Sequence, residues 1–438
     1  MSLGESHAGV GPAPFAVSKA YRNYVLWLLT AVYTLNYLDR QIIAILAPLI
    51  KADLQLSDTE LGFLGGLAFA LFYATLGIPI AAWADRSNRR NIIAMALAIW
   101  SGMTALCGLA GNFTQLALAR IGVGVGEAGG TPPAHSILSD LFPKEERGTA
   151  LAIYSLGIPF GVLIGFGAGG WIGAEFGWRT AFFTFGLPGI ALAILLRLTV
   201  REPPRGHADG LAGTLSGNAP SVRETARFMW SQRSLRHVIA GASITALVGY
   251  GLLFWGPTYL TRAFTTLTPT QVGLALGLLI GVAGGVGTFL GGWMADRLSR
   301  RDQRWMSWVV AVPILISIPF AVATYLVNDV YLVFALMIVP SFVGAFFVGP
   351  TFAMTQGLVK LRMRSVGAAI LLFLINIIGL GLGPQLIGIM SDMLAPQLGT
   401  ESLRWSMAAF YLLNIWAAVH YILGGKHLRA DLVRAAAP

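Results

Sequence analysis

Runs of apolar residues, each about twenty long and separated by polar turns, recur along nearly the whole chain. They fall at 24–47, 60–82, 91–110, 114–137, 148–173, 180–199, 237–260, 270–294, 306–326, 331–356, 366–390 and 405–424. A helix of about twenty apolar residues crosses the hydrocarbon core of a bilayer and satisfies its own backbone polar groups there. The pattern therefore predicts an all-α integral membrane protein of twelve transmembrane helices. The longest polar stretch, 200–236, divides the chain into a six-helix unit over 1–199, a central loop, and a second six-helix unit over 237–438 that ends in a tail. The loop begins as a Pro/Gly-rich linker, and its segment SVRETARFMWSQ (221–232) predicts a short amphipathic helix on the membrane surface.

Composition agrees with that pattern. The chain has 438 residues, 55% hydrophobic and 11% charged, with mean hydropathy +0.69. Soluble domains carry about a quarter charged residues, so a water-solvated fold is excluded. A net charge of +10 would suggest a nucleic-acid partner in a soluble protein. Here the basic residues divide by side instead. Apart from Arg40 and Arg120, which lie inside runs, only Lys51, Arg179, Arg262 and Arg404 fall on the less basic side. The positive-inside rule then puts both termini and the central loop in the cytoplasm and makes the lipid bilayer, not nucleic acid, the partner. Residues 1–20 lack a basic start followed by an apolar run, so no cleaved signal peptide is expected. The expected location is a bacterial inner membrane. The single cysteine, Cys107, offers neither a disulfide framework nor a thiol metal cluster, and no metal or cofactor is expected.

The halves repeat. Trp83-Ala-Asp-Arg-Ser-Asn-Arg-Arg90 follows the second run, and Met294-Ala-Asp-Arg-Leu-Ser-Arg-Arg301 follows the eighth. Asp85, Arg86, Arg89 and Arg90 thus map at one constant offset onto Asp296, Arg297, Arg300 and Arg301. A repeated six-helix unit is the plan of a carrier whose two bundles rock around a central site.

Both loops resemble the Gly-x-x-x-Asp-Arg-x-Gly-Arg-Arg signature of the major facilitator superfamily, with Ala81 and Gly292 in the first slot and Asn88 and Ser299 in place of the second glycine. The resemblance implies that Asp85, Arg86, Arg89, Arg90, Asp296 and Arg297 form a cytoplasmic gate. The alternative is a solvated basic turn that only fixes topology. Arg120 with Gly124 resembles the fourth-helix motif of the same superfamily. Gly161-x-x-x-Gly165-Phe-x-x-Gly169-Gly170 resembles its fifth-helix exporter motif, with Phe166 where proline is usual, although such spacing also marks close helix packing. Asn36-Tyr-Leu-Asp-Arg-Gln41, Pro48-Leu-Ile-Lys51, Leu61-Gly-Phe, Arg120-Ile-Gly-Val-Gly-Val-Gly-Glu-Ala128 and Ser139-Asp-Leu-Phe-Pro143 are similar to the Spinster branch. Known members of that branch export sphingolipid signals or lysophospholipids, some coupled to protons. The resemblance implies an amphipathic, lipid-like substrate and a proton gradient as driving force, in a carrier functional as a monomer.

Asp39, Arg40, Arg120 and Glu127 are ionisable and sit inside apolar runs, where a charge facing lipid costs at least ~2.5 kcal/mol. They must face protein or water. Arg120, Gly124, Glu127, Thr131 and His135 recur at helical spacing and form one stripe of the fourth run. At 1.5 Å per residue Asp39 lies about 12 Å, Arg120 about 9 Å and Glu127 about 20 Å from the outer ends of their runs. Asp39, Arg40 and Arg120 are thus expected to meet in the outer half, with Asp39, traded between arginines, as the proton-linked switch and Glu127 as second candidate. The alternative is a static salt bridge between two helices. Weaker cavity candidates are Asn36, Tyr37, Thr131, His135, Trp255, Tyr259 and Asn376, of which Trp255 and Tyr259 also suit interfacial anchoring. The second half has no charge inside its runs, so a polar bundle is expected to face an aromatic, apolar one.

Other readings on the same fold are a proton-linked carrier of small organic or drug-like solutes and, from a different class, a receptor or scaffold with no need of matched gate loops. An enzyme is not expected, because His-Glu-x-x-His and Gly-x-Ser-x-Gly motifs are missing from the sequence.

Overall fold

The computed structural model describes residues 17–84, 86–205 and 221–436, and among these it contains helices and no strand. In the first half the helices are α1 (Lys19–Leu54), α2 (Asp58–Gly65), α3 (Leu67–Ala84), α4 (Arg89–Cys107), α5 (Phe113–Glu127), α6 (Thr131–Leu141), α7 (Lys144–Ser155) and α8 (Gly157–Thr199). After α9 (Val222–Ser231) come α10 (Arg233–Ala263), α11 (Pro269–Leu278), α12 (Gly284–Ser299), α13 (Trp305–Leu326), α14 (Val330–Gly344) and α15 (Val348–Gly357). The chain ends with α16 (Arg364–Leu374), α17 (Gly383–Leu398), α18 (Ser402–Tyr411) and α19 (Leu413–Ala436). Two π-helical segments, Leu279–Ala283 and Ile375–Leu382, join α11 to α12 and α16 to α17.

Eight helical stretches among the described residues are long and apolar enough to cross a membrane. Two of them, Glu145–Thr199 and Arg364–Ala435, each hold two passes. The first is folded at Gly177, whose φ of 84° suits a residue without a Cβ; the second turns at Gly399–Glu401. Two further passes fall outside that count for physical reasons. Asn36, Asp39, Arg40 and Gln41 lower the hydropathy of α1, and the turn at 128–130 separates α5 from α6. With these the chain makes twelve passes in two six-helix bundles.

The arginine-rich turns at 86–90 and 300–301 mark one face of the molecule, here called the basic face. The bundles meet toward the other. The principal contacts between halves run from α8 to α11, from α2 to α17, from α3 to the second π segment and from α1 to α10. By contrast α4, α6 and α7 pack mainly within the first half and α12 to α15 mainly within the second. Glycines let backbones touch across the seam, among them Gly66 and Gly273. A Cβ at Gly66 would overlap the carbonyl oxygen of Gly381, and one at Gly273 would overlap that of Phe166. Within the first bundle Gly161 and Gly165 lie against α1, where a Cβ would stand 2.6 Å from the Thr34 oxygen and 3.0 Å from Gln41 Cβ. The glycine spacing of α8 is therefore a packing feature here. Gly122, Gly124 and Gly126 likewise lie in helix contacts, against Met103, Phe69 and Trp100.

Filling the seam is expected to hold the bundles apart. Gly66→Leu should destabilise the closed opposite face by about 1–3 kcal/mol, the usual cost of overpacking. Faster labelling of an introduced Thr59→Cys by a membrane-impermeant thiol reagent would register it, and an unchanged rate would count against the seam.

Candidate proton and substrate site

The site is assembled between α1 and α5, joined through their side chains. Arg40 Nε donates to Glu127 Oε2 at 2.8 Å, and the Glu127 side chain is fully enclosed. This differs from the expected meeting of Asp39, Arg40 and Arg120. Helix α1 continues to Leu54, beyond the apolar run that predicts it. Fourteen residues then separate Arg40 from Leu54, and fourteen separate Glu127 from Phe113. At 1.5 Å per residue both lie about 21 Å from their helix ends, and so stand level.

Aromatic rings surround the pair. The Arg40 guanidinium lies 4.5 Å from the centre of the Tyr73 ring and 5.2 Å from those of Tyr37 and Phe69. Arg120 approaches Phe69 at 5.3 Å, so one ring serves two cations. Its Nε donates to the Leu64 carbonyl at 3.4 Å. Tyr33 meets Tyr37 edge-on at 5.1 Å and stacks on Tyr154 at 4.4 Å. His135 meets Tyr154 at 5.2 Å and is exposed, so the aromatic chain leads from an accessible imidazole to the buried charges.

Asp39 is buried at 2% exposure and, among the described residues, forms no ion pair. Its Oδ1 has no hydrogen-bond partner, and the same holds for Asn36 Oδ1, Glu127 Oε1, Trp100 Nε1 and Thr104 Oγ1. Arg120, Arg40 and Glu127 all act on Asp39 electrostatically. Buried polar atoms are normally satisfied, and these five atoms on α1, α4 and α5 are exceptions.

The predicted stripe of the fourth run is interrupted. Helix α5 ends at Glu127, and Thr131 begins α6 after a turn, so Thr131 and His135 do not continue the line of Arg120, Gly124 and Glu127. In the second half a cavity of about 280 Å³ lies among Leu252, Tyr259, Ile280, Tyr325, Met337 and Asn414. Tyr259 donates from its hydroxyl to the Thr324 carbonyl at 3.0 Å. Trp255 is away from the cavity lining; it is fully buried, with Nε1 donating to the Pro384 carbonyl at 2.8 Å. Neither residue is an interfacial anchor, because both are enclosed by protein. Asn376 Nδ2 donates to the Leu372 carbonyl of its own helix at 2.8 Å.

The gate candidates separate into two groups. Asp85 lies outside the described residues. Arg89 is not a solvated turn residue: it is 1% exposed, pairs with Asp140, reaches Glu202 at 2.7 Å and donates to Ser136 and to the Pro203 carbonyl. Arg90 donates its backbone N–H to Glu202 at 2.8 Å. Arg86, Asp296 and Arg297 are exposed, with Arg297 at 5.5 Å over Trp293. The matched loops also differ in form. Helix α3 stops at Ala84 and α4 starts at Arg89 under an Asn88 cap, whereas α12 runs on to Ser299. Asp302, after that second loop, accepts the Arg304 N–H at 2.9 Å and Arg429 at 3.1 Å, which holds its carboxyl below the usual carboxylate range.

One functional cluster was not singled out by sequence reasoning. At the opposite face Asp58 accepts Arg262 through two bonds of 2.8 and 2.5 Å, Ser391 at 2.7 Å, and Lys51. Asp392 in turn accepts the backbone N–H groups of Asp58 and Thr59 at 3.1 and 2.7 Å, capping α2 from the other half. This hub ties the bundles across the seam. The Ser57-x-x-Glu60 capping box marks the start of α2 in the sequence, but nothing local points to an arginine 204 residues away.

Two six-helix bundles joined on one face, with charges buried inside the first of them, define a secondary membrane transporter rather than an enzyme. The chain belongs to the major facilitator superfamily, whose family model matches residues 29–384, and within it to the Spinster-like branch. It is 33% identical over 413 residues to an MFS-type efflux pump of Mycolicibacterium smegmatis, covering 93% of this chain and 94% of that protein. Protein spinster homolog 1 of Xenopus tropicalis is 27% identical over 433 residues, covering 94% and 81%. Among solved structures, a bacterial homologue of the human lysosomal transporter Spinster, in an inward-facing and unoccupied conformation, is similar with a TM-score of 0.86. It is 33% identical, and the match covers 95% of this chain and 99% of that one.

Two outcomes are expected from the pairs. Arg40→Gln strands Glu127 as a buried charge and should cost about 3–5 kcal/mol, while Arg40→Gln with Glu127→Gln together should recover most of it, as a thermal-unfolding mutant cycle would measure. Asp58→Asn leaves Lys51 and Arg262 without their shared counter-charge, and spectroscopic distances between labels on α2 and α17 should broaden toward longer values.

Proposed function

We propose that this chain is a proton-coupled transporter of an amphipathic, lipid-like solute of the lysolipid or sphingolipid type. The moving units are 1–199 and 237–438, joined by the loop 200–236, and they rock about the seam. A single chain suffices for the cycle. The basic face, with both termini, lies on the cytoplasmic side of a bacterial inner membrane, as the distribution of arginines favours. Likeness to a relative solved in an inward-facing conformation supports that orientation, because in this chain the contacts between the halves gather away from the basic face.

The observation that carries this reading is the contrast between the halves. The charges of Asp39, Arg40, Arg120 and Glu127 gather on α1 and α5, while the cavity of the second half has no charged side chain in its wall, which is mainly aliphatic and tyrosine with Asn414 and a few hydroxyls. A molecule with a polar head and an oily tail fits both at once. Helix α10 borders both regions: Tyr250 packs against the same cluster as Tyr33 and Tyr73, and its neighbours Gly249 and Leu252 line the cavity.

Proton coupling rests on Asp39. A buried carboxylate with no ion-pair partner is costly to keep charged. The cost falls when a proton binds or when Arg40 or Arg120 moves toward it, so its proton occupancy follows the positions of α1 and α5. Glu127, already held by Arg40, fills the role of a partner that can exchange.

Reconstitution into liposomes with an imposed pH gradient, using labelled lysolipids and organic acids in competition, tests the substrate class. Lysolipid flux that vanishes when the gradient collapses is the expected result; competition by organic acids alone would favour the small-solute carrier. Asp39→Asn is expected to keep counterflow exchange and to lose its response to the gradient. Retained sensitivity in that variant would remove Asp39 from the coupling role.

A further inference from the structure

Helix α9 passes directly into α10, with Gln232 alone between them, so it lies where α10 enters the membrane on the basic face. Ser221 caps its first turn by accepting the Glu224 N–H at 3.1 Å. One side is clamped to the second bundle. Thr225 and Met229 are buried, Phe228 packs beside the cluster of Val359, Met363 and Leu371, and the Lys360 ammonium lies 6.0 Å over the Phe228 ring.

The remaining circumference is ordered by chemistry. Val222, Ala226 and Trp230, four residues apart, form a stripe next to the clamped side, with Val222 51% and Trp230 65% exposed. Arg223 and Arg227 form the next stripe, and both are exposed. Glu224 falls beyond them and is the one acidic residue between 221 and 236, against Arg223, Arg227, Arg233 and Arg236. An apolar stripe bearing a tryptophan, bordered by protein on one side and arginines on the other, suits a helix lying in the headgroup plane.

We propose that α9 seats on an anionic lipid surface at the basic face. Val222 and Trp230 enter the boundary between headgroups and acyl chains, and Arg223 and Arg227 bind lipid phosphates. Because its other side is fixed to the second bundle, the helix acts as a strut that ties that bundle to the charge of the leaflet. The transported solute and its coupling ion have no part in this.

The test uses the full chain in vesicles of brominated phosphatidylcholine, with and without a large share of brominated phosphatidylglycerol. Quenching assigned to Trp230 is the difference between the wild type and Trp230→Phe. It is expected to rise about twofold with the anionic lipid, and Arg223→Gln with Arg227→Gln should return it to the neutral-lipid level while the melting temperature in detergent stays unchanged. Quenching of Trp230 by aqueous iodide but not by bromolipid would overturn the proposal. So would bromolipid quenching indifferent to lipid charge and to the two arginines. If Trp230→Phe fails to fold, a spin label on Val222→Cys in a Cys107→Ala background gives the same decision: greater collision with oxygen than with an aqueous nickel chelate supports seating, and the reverse refutes it.

Discussion

A guanidinium and a carboxylate held 2.8 Å apart at mid-membrane depth fix the relation of α1 to α5, and the rest of the first bundle is arranged around them. Either charge alone would be expensive in this setting, so each makes the other tolerable. Glycines of α8 bring its backbone against α1 on one side, and Phe69 and Tyr73 of α3 cover the guanidinium on the other. Rings that exclude water also strengthen the pair they enclose. Asp39, one residue from Arg40, is buried but forms no ion pair among the described residues, and the proposed coupling uses that difference between adjacent positions.

The two faces are held together by different physics. Toward the opposite face, contacts cross between the halves: glycine seams allow backbone to meet backbone, and Asp58 gathers Lys51 from its own half and Arg262 and Ser391 from the other. On the basic face the described network stays inside the first half, where Arg89 binds α6 through Asp140 and the start of the central loop through Glu202 and Pro203. The rocking proposed above would break the Asp58 hub, whereas the Arg89 network would travel with its bundle. The two copies of the loop sequence do not fold alike, since one is a capped turn with a buried arginine and the other extends a helix into solvent.

How much was legible in the sequence depends on the range of the interaction. Helix positions, the six-plus-six division and the amphipathic helix after the linker follow from hydropathy and periodicity, which are properties of neighbours along the chain. The family follows from short motifs such as Asn36-Tyr-Leu-Asp-Arg-Gln41. The charged residues of the site were legible as a set, because an ionisable side chain in an apolar run needs a partner somewhere. Asp58 was not, because an acidic residue in a polar turn carries no such signal.

Partner choice was decided by tertiary structure alone. Arg40 bonds Glu127, 87 residues away, because α1 outruns its apolar segment and brings the two level, a shift that hydropathy cannot register. Arg89 is buried because a linker folds back over it. The sequence by itself determined a twelve-pass carrier with a few charges that must find company in the membrane. Which charges meet depends on the depth and rotation of each helix, and those are set when the bundles pack.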